Sequence, residues 1–240
     1  MAHTRFDPRL VTLTSPTSFA AEQYQGLRLT VERLGRARNA QVIAVTSPGA
    51  GEGKTVTAVN LAGALVRGTE ARVLLIDADL RRPAVARNLG IADEATRGLA
   101  ELVEDPALSV ESVARTIAPF NLAVIPAGTP ARSIHQILRS PRIDQIVQDA
   151  RRHYDFVVID MPPLLPVFDS TLLSRLVDGV LVVVAANQTP RKLLGEALNM
   201  LDSSKVLGIV FNRDDRPLFG YYDAYYREYF PDASGVASEA

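Results

Sequence analysis

Cysteine and tryptophan are missing from this chain altogether, and histidine and methionine occur only three times each. Without cysteine there is neither a disulfide nor a thiolate metal site. That agrees with a reducing cytoplasm. His3, His135 and His153 stand too far apart in sequence for paired metal-ligand spacing, and none is assigned to a metal. Charge of one sign is lacking too. The 26 Lys and Arg nearly balance 27 Asp and Glu, for a net charge of −1. No overall basic field therefore draws the chain to nucleic acid. Long apolar runs are also absent. The longest, Val180 to Ala186, falls far short of the roughly 20 residues a membrane helix needs. The first twenty residues mix Arg5, Asp7 and Arg9 with Ser, Thr and Pro, and lack the apolar stretch of a signal peptide. The expectation is a soluble cytoplasmic protein with no direct membrane insertion, which reaches the inner face of a membrane only by recruitment to a partner.

What is present is a large apolar share, 47% of 240 residues, enough for one sizeable domain. Short Val-, Ile- and Leu-rich runs recur at Val42–Thr46, Val73–Asp77, Leu122–Pro126, Phe156–Asp160, Val180–Ala185 and Val206–Phe211. They show little polar alternation, as strands covered on both faces of a parallel sheet do. Helical segments are expected at Ala20–Arg36, Lys54–Arg67, Pro141–His153, Ser170–Leu176 and Pro190–Leu201. Alternation of the two predicts an α/β fold, a doubly wound, mostly parallel sheet flanked by helices with the architecture of a P-loop NTPase. Ligands then sit at the carboxyl ends of the strands. Residues 1–20 read as a loosely structured segment, 21–219 as the domain, and 220–240 as a mobile tail. Between Gly98 and Ile117 no element stands out.

Three motifs carry chemistry. Ser47 to Thr55 reads SPGAGEGKT and lies between a strand and a helix, the setting a phosphate-binding loop requires. The backbone of Gly49, Ala50, Gly51, Glu52, Gly53, Lys54, Thr55 and Val56 is expected to cradle phosphate, with Lys54 reaching the β- and γ-phosphates and Thr55 holding Mg²⁺. Pro48 stands where the general pattern has its first glycine. Two buried strands end in carboxylates, Asp77 and Asp79 on one and Asp160 on the other. Asp160 fits the role of accepting from Mg²⁺-bound water. Asp77 and Asp79, two apart on an extended strand, point the same way. The plain alternative is that such aspartates cap helices or begin turns. The third motif is the stretch from Tyr221 to Tyr229, which holds five of the seven tyrosines: Tyr221, Tyr222, Tyr225, Tyr226 and Tyr229. Phenols are phosphoryl acceptors, and a carboxylate near the reacting oxygen assists their deprotonation. A phosphate loop and a tyrosine cluster in one chain point to a kinase acting on its own tail.

Together these motifs resemble the bacterial tyrosine kinases of the capsule and exopolysaccharide type, from about Asp7 to Phe230. Ser47–Thr55 matches the family's Walker A, Val73–Arg81 its Walker A′ (an apolar run, then Asp-x-Asp-x-Arg), Val157–Pro163 its Walker B and Tyr221–Tyr229 its tyrosine-rich tail. The resemblance implies an ATP- and Mg²⁺-dependent autokinase acting in trans. In it Lys54, Asp77, Asp79 and Asp160 are catalytic, Thr55, Asp77 and Asp160 serve the metal, and Asn212 contacts adenine. It further implies a membrane-anchored activator of the polysaccharide co-polymerase kind and a ring-shaped homo-oligomer. The family's interface motif Glu-x-x-Arg-x-x-Arg appears here as Glu22, Gln25 and Arg28. Gln25 replaces the first arginine and cannot form a charged bidentate pair. Two other readings share the visible motifs: a partitioning-type ATPase switch and a non-enzymatic ATP-binding regulator of polysaccharide chain length. The switch proteins carry a signature lysine where this chain has Gly49, and lack the tyrosine cluster.

Overall fold

The computed structural model describes residues 6–38, 40–68, 71–92, 97–165 and 169–214. The tail expected over 220–240, with all five clustered tyrosines, lies outside them.

In chain order the elements are α1 (Val11–Thr14), α2 (Phe19–Arg38), β1 (Val42–Thr46), α3 (Lys54–Gly68), β2 (Val73–Asp77), α4 (Val85–Asn88), α5 (Leu99–Glu104), α6 (Val110–Val113), β3 (Arg115–Ile117), β4 (Leu122–Ile125), α7 (Ile134–Leu138), α8 (Pro141–His153), β5 (Phe156–Asp160), α9 (Asp169–Ser174), β6 (Gly179–Ala185), α10 (Arg191–Leu198) and β7 (Val206–Asn212). The strands form one sheet in the order β3-β4-β2-β5-β1-β6-β7. Every pairing is parallel except that of β3 with β4. Residues of β1, β2 and β6 are buried throughout, because helices cover both faces of the sheet. Val42 and Ala44 turn to a core shared with α5, α7, α8 and α10, while Ile43 and Val45 turn to one shared with α1, α2 and α3. Such alternation is the period of two of any strand, here with apolar neighbours on either side.

Local sequence explains the helix bounds well in places. The Ser140 side chain accepts from the Arg142 N–H, Pro141 takes the first turn, and Arg151, Arg152 and His153 close the last. Cap, proline and terminal cations all favour a helix over this span.

Two expectations are corrected. Residues 6–14 are not loose: Leu10 is fully buried and α1 packs on α3. The tie is polar as well as apolar. Thr12 donates through its N–H and hydroxyl to Asn60 Oδ1 at 3.0 and 3.1 Å, and Asn60 Nδ2 donates to the Arg9 and Val56 carbonyls, each at 2.9 Å. Between Gly98 and Ile117 the chain forms α5, α6 and the short edge strand β3, elements of three to six residues that show no period in sequence.

Candidate functional site

The tips of β1, β2 and β5 lie side by side. Asp77 and Asp160 are register partners, and Val45 of β1 pairs with Asp160 from the other side. The loop leaving β1 runs over these tips into α3. It is held by the chain after β5: Leu164 N–H donates to the Ser47 carbonyl at 2.8 Å, and Leu165 N–H to the Pro48 carbonyl at 3.1 Å. The Ser47 hydroxyl donates to the Gly49 carbonyl at 2.6 Å.

Gly51 and Gly53 take φ values of +81° and +96°. At Gly53 an added Cβ would strike the Asn212 side-chain amide. Only glycine serves there, both for its backbone and for that approach. Asn212, from the far end of β7, donates through Nδ2 to the Glu52 carbonyl at 2.9 Å. The residue expected near adenine is thus pinned to the phosphate loop. Glu52 joins this contact through its backbone. Its carboxyl is buried, and burial raises its pKa, although Thr189 and the Gly49 N–H act against the rise. Gly49, Ala50 and Gly51 form the turn; Ala50 and Gly51 are exposed, and Val56 is half-buried one turn into α3.

Beneath the loop the structure gathers Lys54, Thr55, Asp77, Asp79 and Asp160, all buried. Lys54 Nζ lies 2.8 Å from Asp79 Oδ2 and 3.4 Å from Asp160 Oδ1. The Thr55 hydroxyl donates to Asp160 Oδ2 at 2.7 Å. Burial works against the Lys54 ammonium, but Asp160 and Asp79 outweigh it and hold the lysine pKa above its ordinary value. Burial pushes Asp77 up to about 7, with the Asp160 charge adding to the rise. Asp160 is pushed up to about 6, chiefly by burial, with Lys54 and Thr55 opposing.

The three aspartates are not equivalent. Asp77 Oδ2 accepts from the Ala84 and Val85 N–H groups, and Oδ1 from that of Asp79, each at 3.1 Å. Its carboxylate therefore also does what the plain reading held, fixing the turn that leads into α4. Asp79 Oδ1 accepts from the Arg82 N–H at 3.0 Å, which leaves Oδ2 to Lys54.

Two supports are not visible as motifs. The Arg81 guanidinium grips the buried Asp169 carboxylate, Nε to Oδ2 at 2.6 Å and Nη2 to Oδ1 at 3.3 Å. The hydroxyls of Thr46 and Ser170 both donate to the Pro162 carbonyl, at 2.8 and 2.6 Å. A polar pair opening α9 just after the Asp160 loop is the only sequence cue for these contacts. Elsewhere His153, at the end of α8 that leads into β5, faces Glu111 with Nε2 at 2.9 Å and Asp149 with its other ring nitrogen. It is thus at the opposite end of β5 from Asp160.

Of the expected interface residues, Glu22 is exposed, while Gln25 and Arg28 are half-buried. Arg28 is engaged within its own helix, Nε to Gln25 Oε1 at 2.9 Å and Nη1 to Glu32 Oε1 at 2.7 Å.

The AAA domain family matches residues 40–205. Tyrosine-protein kinase YwqD of Bacillus subtilis is 30% identical over 223 residues, covering 91% of this chain and 92% of that protein. This chain belongs to the bacterial tyrosine kinase family. Succinoglycan biosynthesis transport protein ExoP of Rhizobium meliloti is 33% identical over 217 residues, 88% of this chain. The match spans only 27% of ExoP, so this chain corresponds to a fraction of that protein's length. Among solved structures, the VpsO kinase domain superposes with a TM-score of 0.73 at 30% identity, covering 86% of this chain and 97% of that one. The loop and the two aspartate strands lie within the matched residues 40–205 and Asn212 lies beyond them; among the described residues no helix is long and apolar enough to cross a membrane.

Proposed function

We propose that this chain is an ATP- and Mg²⁺-dependent protein-tyrosine kinase that phosphorylates its own tail at Tyr221, Tyr222, Tyr225, Tyr226 and Tyr229, one copy acting on another. Its role on this reading is to regulate exopolysaccharide or capsule synthesis or export, beside a membrane-anchored activator of the co-polymerase kind. The observation that carries the reading is the buried cluster at the strand tips. A lysine, a hydroxyl and three carboxylates meet under a loop whose amides are shaped for phosphate. The names of the relatives YwqD and VpsO support it, as does the tyrosine cluster of the tail.

The donor set fits magnesium. Thr55 and Asp160 are hard oxygen ligands already in contact, and two buried carboxylates with raised pKa lack compensating charge beyond Lys54. Bound there, the ion would neutralise charge on the phosphates. The loop amides and Lys54 hold the β- and γ-phosphates of the substrate. For Lys54 to reach them, its ammonium leaves Asp79. Asp79 Oδ2 is then free to accept the proton of a tyrosine hydroxyl. The phenol oxygen forms its bond to the γ-phosphorus as the bond to the bridging oxygen of ADP breaks, and phosphotyrosine and ADP result. Asp77 keeps the turn that carries Asp79 in place.

Purified protein incubated with ATP and Mg²⁺ should give a phosphotyrosine signal, with and without an activator peptide. Lys54→Met should abolish it, and Phe at the five tail tyrosines should remove most of it. Mixing those two variants should phosphorylate the Lys54→Met copy. An inert protein even with activator, or an active Lys54→Met, overturns the reading.

A further inference from the structure

Away from the strand tips, one histidine stands among carboxylates. Asp149 and His153 are four apart in α8, so both lie on one face of its last turn. Glu111 comes from α6, which lies against α8. Reciprocal bonds fix the turn that presents it. The Ser109 N–H donates to the Ser112 hydroxyl at 2.9 Å, and the Ser112 N–H to the Ser109 hydroxyl at 3.2 Å. One ligand atom from each of Glu111, Asp149 and His153 lies within 4.8 Å of the other two.

Protons decide what the cluster can hold. His153 Nδ1 stands 3.0 Å from the Asp149 carbonyl, and a carbonyl only accepts, so Nδ1 carries the hydrogen. In neutral imidazole Nε2 is then a bare lone pair. It faces Glu111 Oε1 at 2.9 Å, and a carboxylate oxygen also only accepts. Two acceptors that close need a positive centre between them, a proton or a metal ion. The Asp149 carboxylate, with Oδ1 3.8 Å from Nδ1, adds a second negative charge beside the ring. The carboxyl end of α8 contributes the negative pole of its helix. A ring pinned through one nitrogen to a backbone carbonyl, with the other nitrogen bare, is also how metal-binding histidines are held.

We propose that Glu111, Asp149 and His153 form a site for a divalent transition-metal cation, zinc by its ligand chemistry. Imidazole with two carboxylates suits zinc, which takes three protein ligands and a water as the fourth. Mg²⁺ and Ca²⁺ favour oxygen alone. Bonds of about 2.0–2.2 Å set tetrahedral ligand atoms roughly 3.3–3.6 Å apart, so the side chains close by about an ångström. They have room to do so, because Glu111, His153 and Asp149 are 52%, 44% and 27% exposed. Asp149 gives up its contact with the exposed Arg152 guanidinium at 3.2 Å. Asp149 and Arg152 also line a cavity of about 460 Å³ beside α5 and α6, through which a hydrated ion reaches the cluster. Bound there, the ion ties α6 to the end of α8. It lies at the far end of β5 from Asp160, so it braces the fold and takes no part in phosphoryl transfer. The site does not depend on the chain being a kinase.

Zinc titration of the full chain tests this, in excess Mg²⁺ to compete at the strand-tip carboxylates, with the ring nitrogens of its three histidines followed by NMR. His153 Nε2 should shift with zinc while Nδ1 keeps its proton, and Mg²⁺ or Ca²⁺ alone should leave the ring unmoved. Glu111→Gln and Asp149→Asn should each weaken zinc at this site at least about tenfold, with His153 still present to report it. Zinc should raise the Tm of the unaltered chain and not that of His153→Ala. Amides of residues 110–113 should exchange more slowly once zinc is bound. A His153 ring that zinc leaves unmoved, or an affinity unchanged by Glu111→Gln or by Asp149→Asn, overturns the inference.

Discussion

Lys54 and Asp79, 2.8 Å apart in a nearly dry site, bind each other, whereas the proposed reaction needs both groups free. On the proposed mechanism the aspartate acts only once phosphate has drawn the lysine away. Asp79→Asn should therefore lower kcat for phosphotyrosine formation by about 10²- to 10⁴-fold, the usual worth of a positioned base, with little change in nucleotide binding. Unchanged turnover would remove Asp79 from the chemistry. The neighbouring pair sets the pH response. Asp77 and Asp160 hold protons up to about 7 and about 6 in the folded chain, whereas unfolded carboxyls lose theirs near 4. The folded state binds more protons in this window, so stability without metal falls as pH rises from 4 to 7. Glu52, also raised, acts in the same direction. Thermal melts should show a lower Tm at pH 7.5 than at pH 5, and Mg²⁺ should raise Tm at pH 7.5 but hardly at pH 5, where protons occupy the oxygens. A Tm that climbs steadily across that window without metal would contradict the burial argument.

Among the elements, α3 does two jobs: its first residues carry the site and its middle anchors the chain's beginning. Asn60 is fully buried and satisfies Thr12 and the Arg9 carbonyl. Asn60→Ala leaves the buried Thr12 N–H and the part-buried Arg9 carbonyl without this partner. The expected loss is about 2–3 kcal/mol, roughly 5–10 °C in Tm for a domain of this size. Hydrogen exchange should rise first in residues 7–14. If those amides exchange no faster in the variant, the polar tie is not what holds α1. The long strands and helices were readable because covered strands and amphipathic helices write themselves as runs and periods: Pro141–His153 appears with its expected bounds. By contrast α5, α6 and β3 are too short to show a period. Residues 6–14 read as loose because one leucine and one threonine do not announce that Asn60, 48 residues on from Thr12, will hold them.

For the whole molecule, the five tail tyrosines set the scale of the charge change. Each phosphotyrosine adds about −1.5 to −2, so five add roughly −7 to −10 to a chain of net −1. Such a tail should be repelled by the acidic strand tips, which makes the reaction self-limiting. If one copy acts on another, the initial rate per molecule should climb with protein concentration until association saturates. A rate per molecule that is flat over a hundredfold dilution would place the reaction within a single chain.

The sequence by itself determined the class of fold, the phosphate loop and the identity of the acids, because apolar period, glycine spacing and strand-end carboxylates are local properties. Tertiary structure alone decided how those acids divide their work. Register pairs Asp77 with Asp160, the turn toward α4 engages Asp77, and Lys54 closes on Asp79. Contacts such as Arg81 with Asp169 or Asn212 with the Glu52 carbonyl join residues 88 and 160 positions apart. Nothing local encodes them; they exist because parallel strands bring distant chain ends to the same edge of the sheet.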